Sequence, residues 1–380
     1  MISPFIANDK NLFLERFPAS QVNRSLQAWD AVDEYLVNYV EQQELVDIGT
    51  KLLVINDDFG SITLNYSQHL VVTVTDSYIS QLGLNHNIEQ NNVIFKDLKQ
   101  LSSLSALPED IDVILYKIPK NKALLVEQLN TIKNTYNNKK ICFIAGDKAK
   151  NIHTSTLTLF KNHLGTTSTS LAIKKARLVF SNLDNKTSLK QAQNKHWLLE
   201  NTNIEINNRA NVFAREKLDI GARLFIDHLP DQLNKLNIID LGCGNGVIGL
   251  SVLEKFPDAC VNFIDESYMA VCSSEDNVNH NFPDSVKHCQ FSVNDCLTDI
   301  DSESADLILC NPPFHQQNAV TDHIAWQMFR DSYRVLKKGG ELRIVGNRQL
   351  GYHIKLQRLF GNEKLIANDH KFVVHSAIKS

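Results

Sequence analysis

Gly242, Gly244 and Gly246 fall within five residues in "DLGCGNGVIGL" (240–250), between an apolar run and apolar positions at helical spacing. Without side chains there, backbone N–H groups and a helix N-terminus can approach a ligand, so an anionic or carboxylate-bearing group is expected at this turn. Gly244, Gly246 and Gly249 also spell G-x-G-x-x-G, with Asp265 roughly twenty residues beyond at a strand end, so a nicotinamide-dinucleotide enzyme is a competing reading. A second constellation, Asn311, Pro312, Pro313 and Phe314, closes the apolar run "ADLILC". Its prolines fix φ and bring no N–H, so the Pro312 carbonyl and the Asn311 side-chain oxygen form two acceptors held in place. Alone, such a tetrapeptide is a strand-ending turn with an asparagine cap; after a fourth strand that follows the glycine turn, it is a site.

These residues need strands to carry them. From "LNIIDLGCGNG" the second half alternates strand and helix: "CVNFIDES", a helix from Met269 to Asn279, "CQFSVNDCL", "ADLILC", a helix near Ile324 to Leu336, a "KKGG" turn and "ELRIVGN". Alternation of this kind implies a parallel sheet wrapped by helices, with ligands at the carboxyl ends of the strands. The first half repeats the rhythm without the chemistry. Laid down without gaps, "VINDDFGSITL" (54–64) falls on "DLGCGNGVIGL", "VTDSYIS" on "IDESYMA", and "DVILYKIPK" (112–120) on "DLILCNPPF" (306–314). Only Gly60 of the glycines remains, and Lys117 and Ile118 replace Asn311 and Pro312. The pattern is that of a duplicated domain whose N-terminal copy has lost its ligand loop. "AWDAVDEYLVNYV" (28–40) predicts an amphipathic helix packed on that first domain. The polar stretch 181–195 is the linker candidate, giving domains at 1–190 and 191–380.

Composition bounds the partners. A chain of 380 residues with 43% hydrophobic content can bury two cores. It contains no apolar run of membrane-spanning length and its first ten residues do not read as a signal peptide, so a cytoplasmic protein with no membrane partner is expected. Six of the seven cysteines lie in the second half without a C-x-x-C pair, and the histidines show no metal spacing, so neither a disulfide framework nor a metal is expected. The formal charge of −4 is unevenly spread: 21 basic residues face 19 acidic ones up to Lys195, and 18 face 24 beyond it. Between Lys139 and Arg177 eight basic residues, among them Lys148, Lys150, Lys174, Lys175 and Arg177, meet a single acid, Asp147. Such a cluster is either a solvated face or a phosphate-binding surface.

Asp240, just before the glycine turn, and the strand-four terminus separate the readings. Here the sequence resembles the class I S-adenosylmethionine-dependent methyltransferases. The resemblance implies an α/β fold of two tandem Rossmann-like methyltransferase domains, the N-terminal one degenerate. It also implies that Asp240, Gly242, Gly244 and Gly246 face the methionine part of S-adenosylmethionine. Asp265 would accept from both ribose hydroxyls and Asp295 from the adenine amine, with Asn311 adjoining the cofactor. For methyl transfer to an exocyclic amine, whose lone pair is delocalised into its ring, Asn311 and the Pro312 carbonyl would take the two amine hydrogens and orient the nitrogen. Pro313 would stiffen the turn and Phe314 would stack on a flipped base. Alignment with a sulfonium leaving group then supplies the reactivity.

The stretch 207–230 and "NPPFHQ" resemble the guanine-N2 ribosomal RNA methyltransferases. The match to the branch acting on large-subunit (23S) rRNA runs nearly the whole chain, through "LERFPAS", "LQAWDAVDEYL", "DSYIS", "AGDKAKNIHTSTL" and "CNPPFHQQNAVTD". The sister branch, acting on 16S rRNA, ranks second. The resemblance implies an RNA-binding role for the N-terminal domain and places Phe213, Arg215 and Asp219 near the cofactor or target pocket, with a core position the alternative for Phe213. His315 and Gln316, which follow Phe314, either touch the flipped base or are plain polar loop residues, and no required protein partner is evident. A catalytically inert RNA-binding module is the remaining alternative, opposed by the complete motifs of the second half.

Overall fold

The computed structural model describes the chain apart from residues 1–3, 8–9, 19–26, 138, 185–193, 233–236 and 314–318, and apart from the side chains of 319–322. It divides into two compact units, Met1–Gln193 and Asn194–Ser380.

In the first unit a hairpin of β1 (Phe5–Ala7) and β2 (Lys10–Leu12) precedes α1 (Ala31–Gln42). There follow β3 (Lys51–Ile55), β4 (Leu70–Thr75), α2 (Tyr78–Gln90), β5 (Asp97–Ser102) and β6 (Val113–Lys117). The unit closes with α3 (Lys122–Tyr136), β7 (Cys142–Lys148), α4 (Thr154–His163), β8 (Thr167–Thr169) and β9 (Ala176–Ser181). The sheet order is β5-β4-β3-β6-β7-β9-β8. Strands β3 and β6 are buried on both faces, as their unbroken aliphatic runs require. Helix α1 begins at Asp30, whose side chain caps Val32, and buries Val32, Leu36, Val37 and Val40 as its amphipathic spacing predicts.

The second unit starts with a hairpin of β10 (Lys195–Leu198) and β11 (Glu205–Asn208), then α5 (Ile220–Ile226), β12 (Asn237–Leu241) and α6 (Val247–Lys255). Next come β13 (Cys260–Asp265), α7 (Tyr268–Asn281), β14 (Cys289–Val293), β15 (Ala305–Cys310) and α8 (Ala319–Val335). It ends with β16 (Leu336–Asn347), α9 (Tyr352–Phe360), β17 (Lys364–Asn368) and β18 (Phe372–Ile378). Its order, β14-β13-β12-β15-β16-β18-β17, repeats that of the first unit strand for strand.

Two expectations change. The sheets are mixed: five strands run parallel, while the last strand of each unit returns antiparallel between its neighbours, as β16–β18 and β7–β9 show. A terminal hairpin needs no crossover helix, so the strand-helix alternation stops before it. "KKGG" is not a turn between elements. It lies inside β16, where Gly339 takes φ 81° and the register with β15 jumps between Ala305–Leu336 and Leu307–Glu341. Of the proposed linker 181–195, residues 185–193 lie outside the described part of the chain. Among the described residues no helix is long and apolar enough to cross a membrane, and no His, Cys, Asp and Glu cluster could hold a metal ion.

Candidate active site

Strands β12 and β15 are neighbours, pairing Leu241 with Cys310, so the glycine turn and the asparagine terminus leave the sheet side by side. A Cβ on Gly242 would lie 3.9 Å from the Asn311 carbonyl oxygen. Gly242, Gly244 and Gly246 have φ of 73°, 57° and 80°, the left-handed region, and the space beside Gly244 is open to 4 Å. Gly249 has another purpose: a Cβ there would sit 2.2 Å from the Phe263 ring, so helix α6 can lie on β13 only without it. The dinucleotide-like third glycine is thus a packing residue.

Asp265 ends β13. One carboxylate oxygen accepts from Gly244 N at 3.0 Å and the other from Ser267 N at 3.0 Å, so this half-buried acid ties the glycine turn to the start of α7. Asp295 follows β14, buried, with Oδ1 accepting from Gln327 Nε2 at 2.8 Å; burial raises its pKa, and the Gln327 bond works against that. Asn311 Oδ1 is buried and has no hydrogen-bond partner among the described residues; the same holds for Asn294 Oδ1. Pro312 is buried and Pro313 exposed. Phe314, His315 and Gln316 lie outside the described residues.

Asp240, expected to face a ligand, has one oxygen committed to the turn and the other, Oδ1, buried with no hydrogen-bond partner among the described residues. It is fully buried, and Oδ2 accepts from Gly249 N at 2.9 Å, so it supports the turn from beneath, against the first turn of α6. Burial pushes its carboxyl up to about 7, with a smaller push from the Asp265 charge and an opposing pull from the Gly249 bond.

Strand β11 lies along α7 through asparagine amides. Asn277 exchanges hydrogen bonds with Asn207, receiving from its N at 2.8 Å and donating to its carbonyl at 2.9 Å, and donates also to Asn245 O at 2.9 Å. Asn281 makes the same exchange with Glu205, and Asn208 Oδ1 accepts from Asn245 Nδ2 at 2.9 Å. The glycine turn is thereby fastened to the chain that leads to Phe213, Arg215 and Asp219. Phe213 is exposed and is no core residue. The Arg215 guanidinium reaches Glu216 at 3.8 Å. The Asp219 side chain accepts from Ala222 N at 3.1 Å, capping α5, which accounts for that residue structurally. Gln327 and the asparagines were missed by motif reading. Their one sequence signal is the Asn277/Asn281 pair at helical spacing, repeated 190 residues earlier as Asn87/Asn91.

The basic candidates gather in the first unit around the β8–β9 turn. Lys148 reaches Asp30 at 3.3 Å and Lys174 reaches Glu34 at 2.5 Å, so two are partly neutralised. Lys150 and Lys175 are exposed, whereas the Arg177 Nε is buried.

Residues 3–185 match the RLMG N-terminal domain family and residues 203–376 the methyltransferase small domain family. The chain is 59% identical to the ribosomal RNA large subunit methyltransferase G of Colwellia psychrerythraea, with all of both chains covered. This chain belongs to the ribosomal RNA large subunit methyltransferase G family. The family member of Serratia proteamaculans is 50% identical over 98% of this chain and 97% of its own, and that of Pseudoalteromonas translucida 48% over the same shares. A solved structure, the Thermus thermophilus "16S rRNA N2 G1207 methyltransferase (RsmC) in complex with AdoMet and Guanosine", aligns over the whole chain and 98% of its own with TM-score 0.75 at 17% identity, which shows a shared fold. Membership makes this an S-adenosylmethionine-dependent methyltransferase, and the nicotinamide and inert-module readings fall away.

Proposed function

We propose that the second unit transfers the methyl group of S-adenosylmethionine to the exocyclic N2 amine of a guanine in 23S rRNA. The observation that carries this reading is the buried Asn311 Oδ1, an acceptor with no partner among the described residues, on a residue that follows β15 and whose backbone carbonyl adjoins Gly242. A buried acceptor left unpaired costs free energy, about 1–3 kcal/mol, which an incoming amine donor would recover. The residues also fit the cofactor: an open left-handed glycine turn, the Asp265 carboxylate at the next strand end, and Asp295 beyond it with one oxygen held by Gln327. When bound, the cofactor would supply a methyl group on a sulfonium: the sulfur–methyl bond breaks as the nitrogen–methyl bond forms, the sulfur leaves as a neutral thioether, and the methylated nitrogen gives up one proton to solvent. Asp265 accepts from the ribose hydroxyls and the second oxygen of Asp295 from the adenine amine. Asn311 Oδ1 and the Pro312 carbonyl accept the two amine hydrogens of the base and aim its nitrogen at the methyl carbon. Phe314 stacks on the base, with Phe213, Arg215 and His315 bordering the target. In the first unit Lys148, Lys150, Lys174, Lys175 and Arg177 contribute phosphate contacts, which position RNA without reading sequence.

The names of relatives 46–59% identical over nearly the full chain favour large-subunit RNA over the 16S alternative. The purified protein is expected to methylate rRNA from cells lacking the gene, with N2-methylguanosine as the product nucleoside in 23S rRNA. Methylation confined to adenine, or to 16S rRNA, would overturn the assignment. Asn311→Ala is expected to lower kcat by about a hundredfold or more while cofactor affinity holds.

A further inference from the structure

The two units share a corner that their loss of common chemistry has left intact. In the first unit Ala149, just past β7, donates its N–H to the Lys175 carbonyl at 2.7 Å, and in the second Arg348, just past β16, donates to the Lys371 carbonyl at 2.9 Å. Lys175 and Lys371 each precede the returning antiparallel strand, in registers that pair Lys148 with Ala176 and Asn347 with Phe372. They are structural counterparts, both exposed. Around Lys175 stand Lys148, Lys150 and Lys174; around Lys371 stand Arg348 and His370, all three exposed.

In the second unit this corner borders an open cavity of about 610 Å³ lined by Arg348, Asn368, Asp369 and His370. It lies at the carboxyl end of β16, the strand beside β15, and so at the sheet end that carries Asn311. Asp369 is its one acid, and Oδ1 of that residue is committed to the turn, accepting from Lys371 N at 2.7 Å and Phe372 N at 2.6 Å. The Arg348 guanidinium is steadied by the Asp369 carbonyl at 2.7 Å, and the Lys371 ammonium sits 5.2 Å from the Phe372 ring centroid. Between the two copies the glycine turn and the asparagine terminus have diverged, whereas a basic strand-end corner persists in both.

We propose that Arg348, His370 and Lys371 bind the phosphate backbone of the RNA substrate beside the target base, a second phosphate-binding corner within the catalytic unit. The inference rests on the rRNA reading above. Neutralised phosphates release counterions, so the corner contributes to affinity and to its salt dependence rather than to base choice. The test is full-length Arg348→Ala/Lys371→Ala alongside Lys371→Arg, with RNA affinity measured against salt concentration, S-adenosylhomocysteine affinity by calorimetry, and methylation kinetics on rRNA. The double variant is expected to raise Kd and KM for RNA about tenfold and to flatten the logarithmic salt slope by roughly 1.5 to 2, about 0.7–0.9 for each cation removed. Its kcat and S-adenosylhomocysteine affinity are expected to hold, and Lys371→Arg to behave as wild type. Unchanged RNA affinity and salt slope in the double variant, with a wild-type enzyme that methylates 23S rRNA, overturns the corner alone. A wild-type protein that neither binds nor methylates rRNA overturns the substrate reading and the corner with it. Weakened S-adenosylhomocysteine binding in the double variant would assign these residues to the fold of the cofactor site and also overturn the proposal.

Discussion

Asp240 shows how burial sets a charge state. With its folded pKa near 7 and an ordinary carboxyl near 3.9 when unfolded, the folded chain holds this proton more tightly than the unfolded one. The stability it contributes is therefore fully present below about pH 4 and is lost as pH rises through about 7. Asp240→Asn keeps an acceptor for Gly249 N and stays neutral. Relative to wild type it is expected to gain stability from pH 4 to 7, by up to about 4 kcal/mol, and to level off above pH 8. Denaturant melts of ligand-free protein across that range check this, and a pH-independent difference would defeat it. The strand-end positions of the glycines, Asp265, Asp295 and Asn311 were legible in the sequence because turns punctuate the apolar runs. The bond from Asp240 Oδ2 to the Gly249 N–H was not legible, because a carboxylate within a strand buried on both faces carries no sequence mark of which backbone group it meets.

At the scale of elements, α7 carries the glycine turn as much as β12 does. Truncating Asn277 leaves the Asn207 N–H and carbonyl and the Asn245 carbonyl short of partners, at a cost of about 1–3 kcal/mol. In the first unit Asn87 makes the same bonds with Glu15 N, Glu15 O and Phe59 O, where Phe59 aligns with Asn245. Asn277→Ala and Asn87→Ala are accordingly expected to lower stability alike. Under the proposed function, in which the cofactor sits at the second unit's turn, only Asn277→Ala should weaken S-adenosylhomocysteine binding; calorimetry on both variants decides, and equal effects on binding would contradict it. Sequence reading located most of these strands and helices from their apolar periodicity. It could not see the straps, since side-chain to main-chain bonds between elements leave no period. It also could not see that β16 runs through Gly339, where a bulge absorbs what looks like a stop.

Over the whole molecule, the first unit has kept the backbone of the site and sealed it. Asn56 takes φ 63° where Gly242 has 73°, and Gly60 keeps 83° where Gly246 has 80°. Asp57 bends back on its own loop, accepting from Ile62 N at 3.1 Å and Thr63 N at 2.8 Å. Lys117, at the asparagine position, reaches the fully buried Asp33 at 2.7 Å. Burial opposes the ammonium, and Asp33, Asp58 and Asp57 more than offset it, holding its pKa above the ordinary lysine value. The helices α1 and α5 start alike from capping residues Asp30 and Asp219, so Asp33 stands where α5 has Ala222. The first unit thus has an ion pair where the second has Ala222 and an Asn311 Oδ1 without a partner among the described residues. Breaking that pair strands a buried charge, so Lys117→Met is expected to cost about 3–5 kcal/mol, and Asp33→Leu/Lys117→Met to recover most of it. Because the pair belongs to the sealed copy, calorimetry should find one S-adenosylhomocysteine site per chain in wild type and in both variants, with equal affinity. A second site in wild type, or a loss of binding in the double variant, would show that the first unit still serves the cofactor.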